Sequence, residues 1–207
     1  MGIGLFDAAV ERGYSTTLLL GPTPFGPTPF GPTLNGPTNA PRSDARGTVE
    51  RFQTASELES LLARHFPACD ILIMAAAVAD YRPRMSEIAK IPRTNSPITL
   101  VLDPVPDLVA RCAALRTPRQ FVVGFALGPA DSLLNAARDK LARKRLDAIV
   151  ANPIGTMESG TIDSAVLWAS GGTVDRPGEL TKEQFAAWMI ERTVARAAES
   201  RSTGHAS

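Results

Sequence analysis

Three short runs of this chain are apolar at consecutive positions instead of alternate ones: "DILIMAAAVADY" (70–81), "QFVVGFA" (120–126) and "DAIVAN" (147–152). A strand that is apolar on both faces has to be covered from both sides. The segments between and after these runs can supply that cover. In "TASELESLLARH" (54–65), Thr54 and Glu57 have the spacing of a capping box. "VPDLVARCAAL" (105–115) has Pro106 near its first turn. "ADSLLNAARDKLARKRL" (130–146) opens at Asp131 or Ser132, and a closing helix over 181–199 puts Phe185, Met189 and Val194 on its apolar side. Apolar strands alternating with helices predict an α/β fold, a mostly parallel sheet with helices on both faces. Ligands of such sheets bind at the carboxyl ends of the strands.

The remaining elements follow the same grammar. Residues 3–12 have helical spacing and stop at Gly13, "STTLLL" (15–20) and "TVERF" (48–52) read as strands, and "ITLVLD" (98–103) reads as another. "AVLWAS", Gly171–Gly172 and "TVDR" make a small C-terminal β-hairpin with a Gly-Gly turn. One domain is expected over 1–199, interrupted at 21–45 by a Gly/Pro repeat, "GPTPFGPTPFGPTLNGPT", and followed by a disordered tail at 200–207. The chain opens on a helix, where a nucleotide-binding α/β domain opens on a strand and a Gly-rich turn. Gly2 and Gly4 fit the remains of such a turn, but "GIG" alone does not specify one.

Composition excludes several function classes. The net charge of +1 gives no global field for nucleic acid or an acidic membrane surface. No run of about 18 apolar residues is present, and "MGIGLFDAAVERG" is not a signal peptide. Cys69 and Cys112 lack zinc-site spacing and suit small apolar roles in a reducing cytoplasm. A cytoplasmic protein with no nucleic-acid or membrane partner and no protein-held metal is the expectation.

Five stretches can carry chemistry, each with a plain alternative. Met74, Ala75 and Ala76 leave their strand with side chains small enough for a ligand to approach the backbone. Asp80 then offers a carboxylate, or serves as a turn residue. Lys90, ten residues on, is an anion ligand or a solvated surface lysine. Pro106, Asp107, Leu108 and Val109 form a helix start, which can bind an anion through free N–H groups or simply carry a dipole-compensating Asp. Phe125 can stack on a base or sit in the core. Lys140 and Lys144, four apart on one helical face, suit a triphosphate or the helix C-terminal dipole.

In this order and spacing the stretches resemble phosphopantothenate–cysteine ligase of coenzyme A biosynthesis, in bacteria often the C-terminal half of a bifunctional flavoprotein. "MG…AAVERGYSTTLLLGP", "AAAVADYRP…K", "PDLV", "VVGFA", "KLARK" and "LDAIVAN" carry the resemblance from Met1 to about Ile190. It implies a Rossmann-like fold. The implied reaction uses CTP with Mg²⁺ to convert 4′-phosphopantothenate to an acyl-cytidylate, which the cysteine amine then attacks. It further implies a homodimer and a phosphopantothenoylcysteine decarboxylase as partner, fused or separate. Carried over, Met74, Ala75, Ala76 and Asp80 hold the base and ribose side of the nucleotide. Lys90 meets the phosphates or the acyl phosphate as the catalytic lysine. Pro106, Asp107, Leu108 and Val109 give main-chain contacts, Phe125 lines the base pocket, and Lys140 and Lys144 hold the triphosphate.

The chain departs from the family pattern in three places. The family's "KIKK" stands as "KIPR" (90–93), its "GFAAET" as "GFALGP" with Gly128 at the glutamate, and Met1 falls on the Met of its "MG". The first strand, a "TGGT" turn and an "N.SSGkMG" loop of the family precede that Met. Two readings stand: a start placed at an internal Met with the full enzyme encoded from further upstream, which is favoured, or a truncated chain with an open sheet edge. For the chain as it stands weak or absent ligase activity is expected. The alternative reading is a catalytically impaired nucleotide-binding or subunit-partner homologue. The Tyr-x-x-x-Lys requirement argues against a short-chain dehydrogenase, since Met85 stands four residues after Tyr81. The repeat occupies a loop of variable length in the family and reads as tandem expansion of a surface loop.

Overall fold

The computed structural model describes residues 1–22, 42–43, 47–84, 97, 99–156 and 160–203. In chain order the first elements are α1 (Gly2–Glu11), β1 (Thr16–Leu20), β2 (Arg42–Ser43), β3 (Gly47–Arg51), α2 (Ala55–His65), β4 (Ile71–Ile73), β5 (Tyr81–Pro83) and β6 (Leu102–Pro104). After them come α3 (Leu108–Leu115), β7 (Phe121–Gly128), α4 (Ala130–Arg143), β8 (Ala148–Pro153), β9 (Thr161–Ile162), β10 (Ala165–Trp168), β11 (Val174–Asp175), β12 (Leu180–Thr181) and α5 (Lys182–Thr203).

The doubly apolar runs become the centre of the fold. β4, β7 and β8 are parallel neighbours, and β10 and β11 extend that sheet antiparallel, giving the order β11-β10-β8-β7-β4. Side chains alternate between two cores, as strand geometry requires. Val122 and Ala126 of β7, Ile149 and Ala151 of β8, and Ala165 and Leu167 of β10 face one core, built with Leu58 and Leu62 of α2, Val109 and Cys112 of α3, and Leu133 and Ala137 of α4. Phe121, Val123, Ala148, Val150, Val166 and Trp168 face the other, against Leu5 and Ala9 of α1 and Phe185 and Met189 of α5. Helices cover both faces, as the sequence predicts.

The local signals hold as well. Thr54 caps α2 through both bonds of the capping box: Glu57 N–H donates to Thr54 Oγ1 at 3.2 Å, and Glu57 Oε2 accepts from Thr54 N–H at 3.4 Å. The hairpin β10–β11 turns on Gly171 and Gly172, whose φ angles of 72° and 61° lie in the left-handed region that glycine tolerates. Both cysteines are free and pack in or against the first core.

β1 and β3 form a second parallel ladder, with β2 antiparallel on the far side of β3. Among the described residues β1 pairs with β3 alone and β4 with β7 alone, so each sheet ends on an open edge. Every apolar residue of β4 is only half-buried, whereas Val122, Val123, Ile149 and Val150 are wholly buried.

Four expectations need correction. "ITLVLD" is not a buried strand: only its end enters β6, which pairs antiparallel with β5, and Leu100, Val101 and Leu102 are 61%, 51% and 48% exposed. Nothing among the described residues covers that face, so its apolar character does not draw it into the central sheet. α3 begins at Leu108 with Asp107 as its N-cap, leaving Pro106 ahead of the helix, and α4 begins at Ala130 after Pro129. α5 continues to Thr203, past the boundary expected at 199. The rest of the tail (204–207), and the repeat over 23–41, lie outside the described residues.

At one glycine β7 packs closely against a side chain outside the sheet. A Cβ on buried Gly124 would lie 2.6 Å from Leu146 Cδ1, and Leu146 is itself buried. Gly124→Ala is expected to destabilise the protein by about 1–3 kcal/mol through overpacking. Urea unfolding should show a lower midpoint at unchanged slope; an unchanged midpoint would mean that Leu146 moves aside freely.

Candidate active site

The site forms where β4 runs out. Ile73 pairs with Val123, and Met74 N–H makes a further bond to the Val123 carbonyl at 2.9 Å. Strand β4 ends there while β7 continues to Gly128. The backbone of Ala75 and Ala76 thus leaves the sheet about level with Phe125. Ala76 and Asp80 are exposed. The Asp80 carbonyl accepts from Val105 N–H at 2.8 Å, which ties this exit to the approach to α3.

Two lysines, Lys140 in α4 and Lys144 at its C-cap, are held in place beside it. Lys140 Nζ donates to the Phe125 carbonyl at 2.8 Å. Lys144 Nζ pairs with Asp107 Oδ2 at 2.7 Å, while Asp107 Oδ1 accepts from Ala110 N–H at 3.2 Å and caps α3. Burial opposes the charge on Asp107, but the Lys144 ammonium and the Ala110 N–H outweigh it and lower its pKa. Lys140 is pushed the other way. Burial first, then the Lys144 charge, depress its pKa below the usual 10.5, with Arg143 adding to the effect and Asp107 and Asp80 opposing it. Excess positive charge held partly out of water is an arrangement that a polyanion would relieve.

The structure therefore brings Asp80, Asp107, Phe125, Lys140 and Lys144 into one electrostatic neighbourhood. Phe125 contributes its carbonyl as well as a half-buried ring. Leu108 and Val109 are buried in the first core and Met74 packs against it, so these three can offer a ligand only main chain. Asp107 binds the lysine as well as capping the helix. Lys90 and the rest of "KIPR" lie outside the described residues. Arg143 was missed by the sequence reading, although it stands three residues after Lys140, a spacing that shares a helical face. Among the described residues no group of three or more His, Cys, Asp or Glu could hold a metal ion.

The model of the DNA/pantothenate metabolism flavoprotein C-terminal domain matches residues 1–196. The chain belongs to this family. Among curated relatives, a cysteine/cysteine sulfinic acid decarboxylase from an unknown prokaryotic organism is 36% identical over 195 residues, 93% of this chain and 50% of the relative. The coenzyme A biosynthesis bifunctional protein CoaBC of Vibrio cholerae is 37% identical over 177 residues, 83% of this chain and 40% of the relative. The chain thus spans half or less of the length of these flavoprotein-family relatives. Among solved structures, a Cab2 mutant in complex with phosphopantothenate-cysteine superposes with a TM-score of 0.75 at 18% identity, covering 99% of this chain and 79% of that one. The C-terminal domain of a CoaBC protein gives a TM-score of 0.69 at 22% identity, covering 92% and 79%. These two likenesses concern the fold.

Proposed function

We propose that the chain is the ligase unit that joins 4′-phosphopantothenate to cysteine through an acyl-cytidylate formed with CTP. The observation that carries this reading is the preorganised pair Lys140 and Lys144 beside the end of β4, in a family whose bifunctional members are named for coenzyme A biosynthesis. The substrate carboxylate attacks the α-phosphorus of CTP, the bond to the β-phosphate oxygen breaks, and pyrophosphate leaves. The cysteine amine then attacks the acyl carbon and CMP departs. A carboxylate is a poor acyl donor, and nucleotidylation gives it a leaving group. The protein's part is to position the reactants and stabilise charge moving onto the phosphates.

On this reading the ammonium groups of Lys140 and Lys144 bind the triphosphate, with Arg143 adding to the field. Phe125 and the backbone of Met74, Ala75 and Ala76 border the base and ribose, and Asp80 offers a hydroxyl acceptor. Pro106, Asp107, Leu108 and Val109 supply main-chain contacts, and Lys90 meets the reacting phosphate. Mg²⁺ would travel with the triphosphate, since it needs only one or two carboxylates besides phosphate oxygens, and Asp80 suits that role.

Exchange of labelled pyrophosphate into CTP reads the first step even where turnover is slow. Exchange that requires phosphopantothenate, followed by CMP release on adding cysteine, is the expected result. Saturable CTP binding in a calorimeter without exchange would replace this reading with a nucleotide-binding partner, and CO₂ released from cysteine would replace it with a decarboxylase.

We extend the reading to a cytoplasmic homodimer that passes its product to a phosphopantothenoylcysteine decarboxylase. No helix among the described residues is long and apolar enough to cross a membrane. The exposed face of β5, β6 and the residues leading into β6, with Tyr81 at 61% and Leu100 at 61%, suits a second copy. Light scattering should give a dimer for the parent and a monomer for Leu100→Glu; a monomeric parent would remove the dimer.

A further inference from the structure

The other side of α4 carries a second cationic surface that the proposed ligase does not use. Arg138, Leu141 and Ala142 share one side of α4 and Arg145 follows two residues after its end, whereas Lys140 and Arg143 lie on the opposite side of the helix. These residues of the first side and Arg145 line an open depression of about 480 Å³ at the amino-terminal end of β8, together with Arg116, Asp147, Leu167 and Val174. This volume is in the range of small-molecule sites.

The charges in this cavity are unequal. Arg116 is committed: it donates to the Ala113 and Arg145 carbonyls at 2.8 and 2.5 Å and pairs with Asp147 at 3.3 Å. Asp147 is committed too, its other oxygen accepting from Val122 N–H at 2.8 Å. Arg138 and Arg145 are exposed and make no ion pair among the described residues, the one polar contact of Arg138 being neutral Asn135 Oδ1 at 3.4 Å. Two arginines that make no ion pair among the described residues therefore line the same depression as Leu141, Leu167 and Val174. The carbonyls at the end of α4 do not repel an anion there, because Leu146 N–H bonds to the Leu141 carbonyl at 3.0 Å and Arg145 N–H to the Ala142 carbonyl at 3.1 Å.

That pair of bonds is a Schellman motif, and its left-handed position is filled by Arg145 at φ 54°. Glycine is the residue that adopts this conformation without strain. Arginine holds it against its own preference, with its carbonyl clamped by Arg116 and the residue itself lining the depression. Strain of this kind gathers at ligand sites.

We propose that this cavity binds a small amphipathic oxyanion, an organic phosphate, sulfonate or carboxylate on a flat apolar body, through Arg138 and Arg145. The anion lies between the two guanidinium groups and the apolar body lies against Leu141, Leu167 and Val174. This site is separate from the CTP site.

The probe is 1-naphthyl phosphate, titrated calorimetrically into the full chain, with inorganic phosphate and neutral 1-naphthol as controls. The expected result is one saturable site, at least about tenfold weaker for either control and about tenfold weaker in Arg138→Ala and in Arg145→Gly. Saturating CTP should not compete. Arg145→Gly should also raise Tm by about 2–4 °C by releasing the strained φ, so its lost binding cannot be read as unfolding. No saturable binding, undiminished binding in both variants, or full competition by CTP would overturn the proposal. So would inorganic phosphate binding as tightly as the ester, which marks an adventitious ion only. A lowered Tm for Arg145→Gly would assign Arg145 a structural role and overturn it as well.

Discussion

Replacing Lys140 by methionine is expected to weaken CTP binding roughly 30- to 150-fold, the loss of a charge-assisted contact of about 2–3 kcal/mol, while leaving stability within about 1 kcal/mol of the parent. Two opposing terms produce the small stability change. The variant loses the bond from Lys140 Nζ to the Phe125 carbonyl. It also removes an ammonium whose charge is opposed first by burial and then by Lys144. Lys144→Met should behave differently, because it strands Asp107, whose carboxylate is paired with Lys144 at 2.7 Å. Asp107 has a folded pKa below its usual 3.8, so the stability it contributes is present above about that pH and lost as pH falls through the lower folded value. Lys144→Met should therefore lose stability at neutral pH as well as CTP affinity, and the acid-sensitive part of its stability should shrink. Lys140 also sets an alkaline limit. Its pKa in the free protein lies below 10.5, and a bound triphosphate would raise it again. CTP affinity should be full below the free pKa and fall as pH rises through it, and Lys140→Met should lose that limb. Calorimetric titration across the alkaline range reads both. A parent-like affinity in Lys140→Met, with the limb intact, would remove Lys140 from the nucleotide site.

The central sheet was legible because its constraint is local. A strand buried on both faces has to be apolar at every position, and "FVVGFA" and "AIVA" meet that condition residue by residue. Thr54 with Glu57, and Gly171 with Gly172, are equally local signals, and both behave as their spacing predicts. The site was legible only in part. Lys140 and Lys144 advertise a shared face through their spacing, but their partners do not. The Phe125 carbonyl has no sequence signature, and the Asp107–Lys144 pair joins elements that only tertiary packing brings together. Residues 99–102 misled for a related reason: an apolar run reads the same whether it lies inside a sheet or, as here, on an exposed ribbon. Arg145 hid the end of α4, because the motif it completes is recognised in sequence by the glycine it replaces.

Trp168→Ala is expected to cost about 3–5 kcal/mol and to lower Tm by roughly 6–20 °C. Trp168 is 1% exposed in the core between the sheet and α5. Its Nε1–H donates to Asp175 Oδ2 at 3.0 Å, and the same oxygen accepts from Arg192 at 2.6 Å. The Arg196 guanidinium stands 5.3 Å above the ring and Phe121 packs at 6.4 Å between ring centroids. One side chain thus joins β7, β10, β11 and α5. The charge of Asp175 is not orphaned in the variant, because Arg192 still holds it, so the loss comes chiefly from the cavity left by the ring. Trp168→Phe isolates the polar part: it keeps most of the volume, loses the Nε1 bond, and should cost about 1–2 kcal/mol. A cost for Trp168→Ala no greater than for Trp168→Phe would mean that the hydrogen bond, and not the ring, anchors α5. Trp168 also pairs in register with Ala148, and Ala169 N–H bonds to the Asp147 carbonyl at 2.9 Å. Collapse around the missing ring should therefore disturb the Arg116–Asp147 wall and weaken naphthyl phosphate binding, while CTP affinity at Lys140 stays close to the parent's. Separated sites add, so Trp168→Ala combined with Lys140→Met should change stability by the sum of the two within about 0.5 kcal/mol. A larger coupling would show that the sheet transmits strain between its two ends, and that the cavity beside β8 and the lysine pair act as one site.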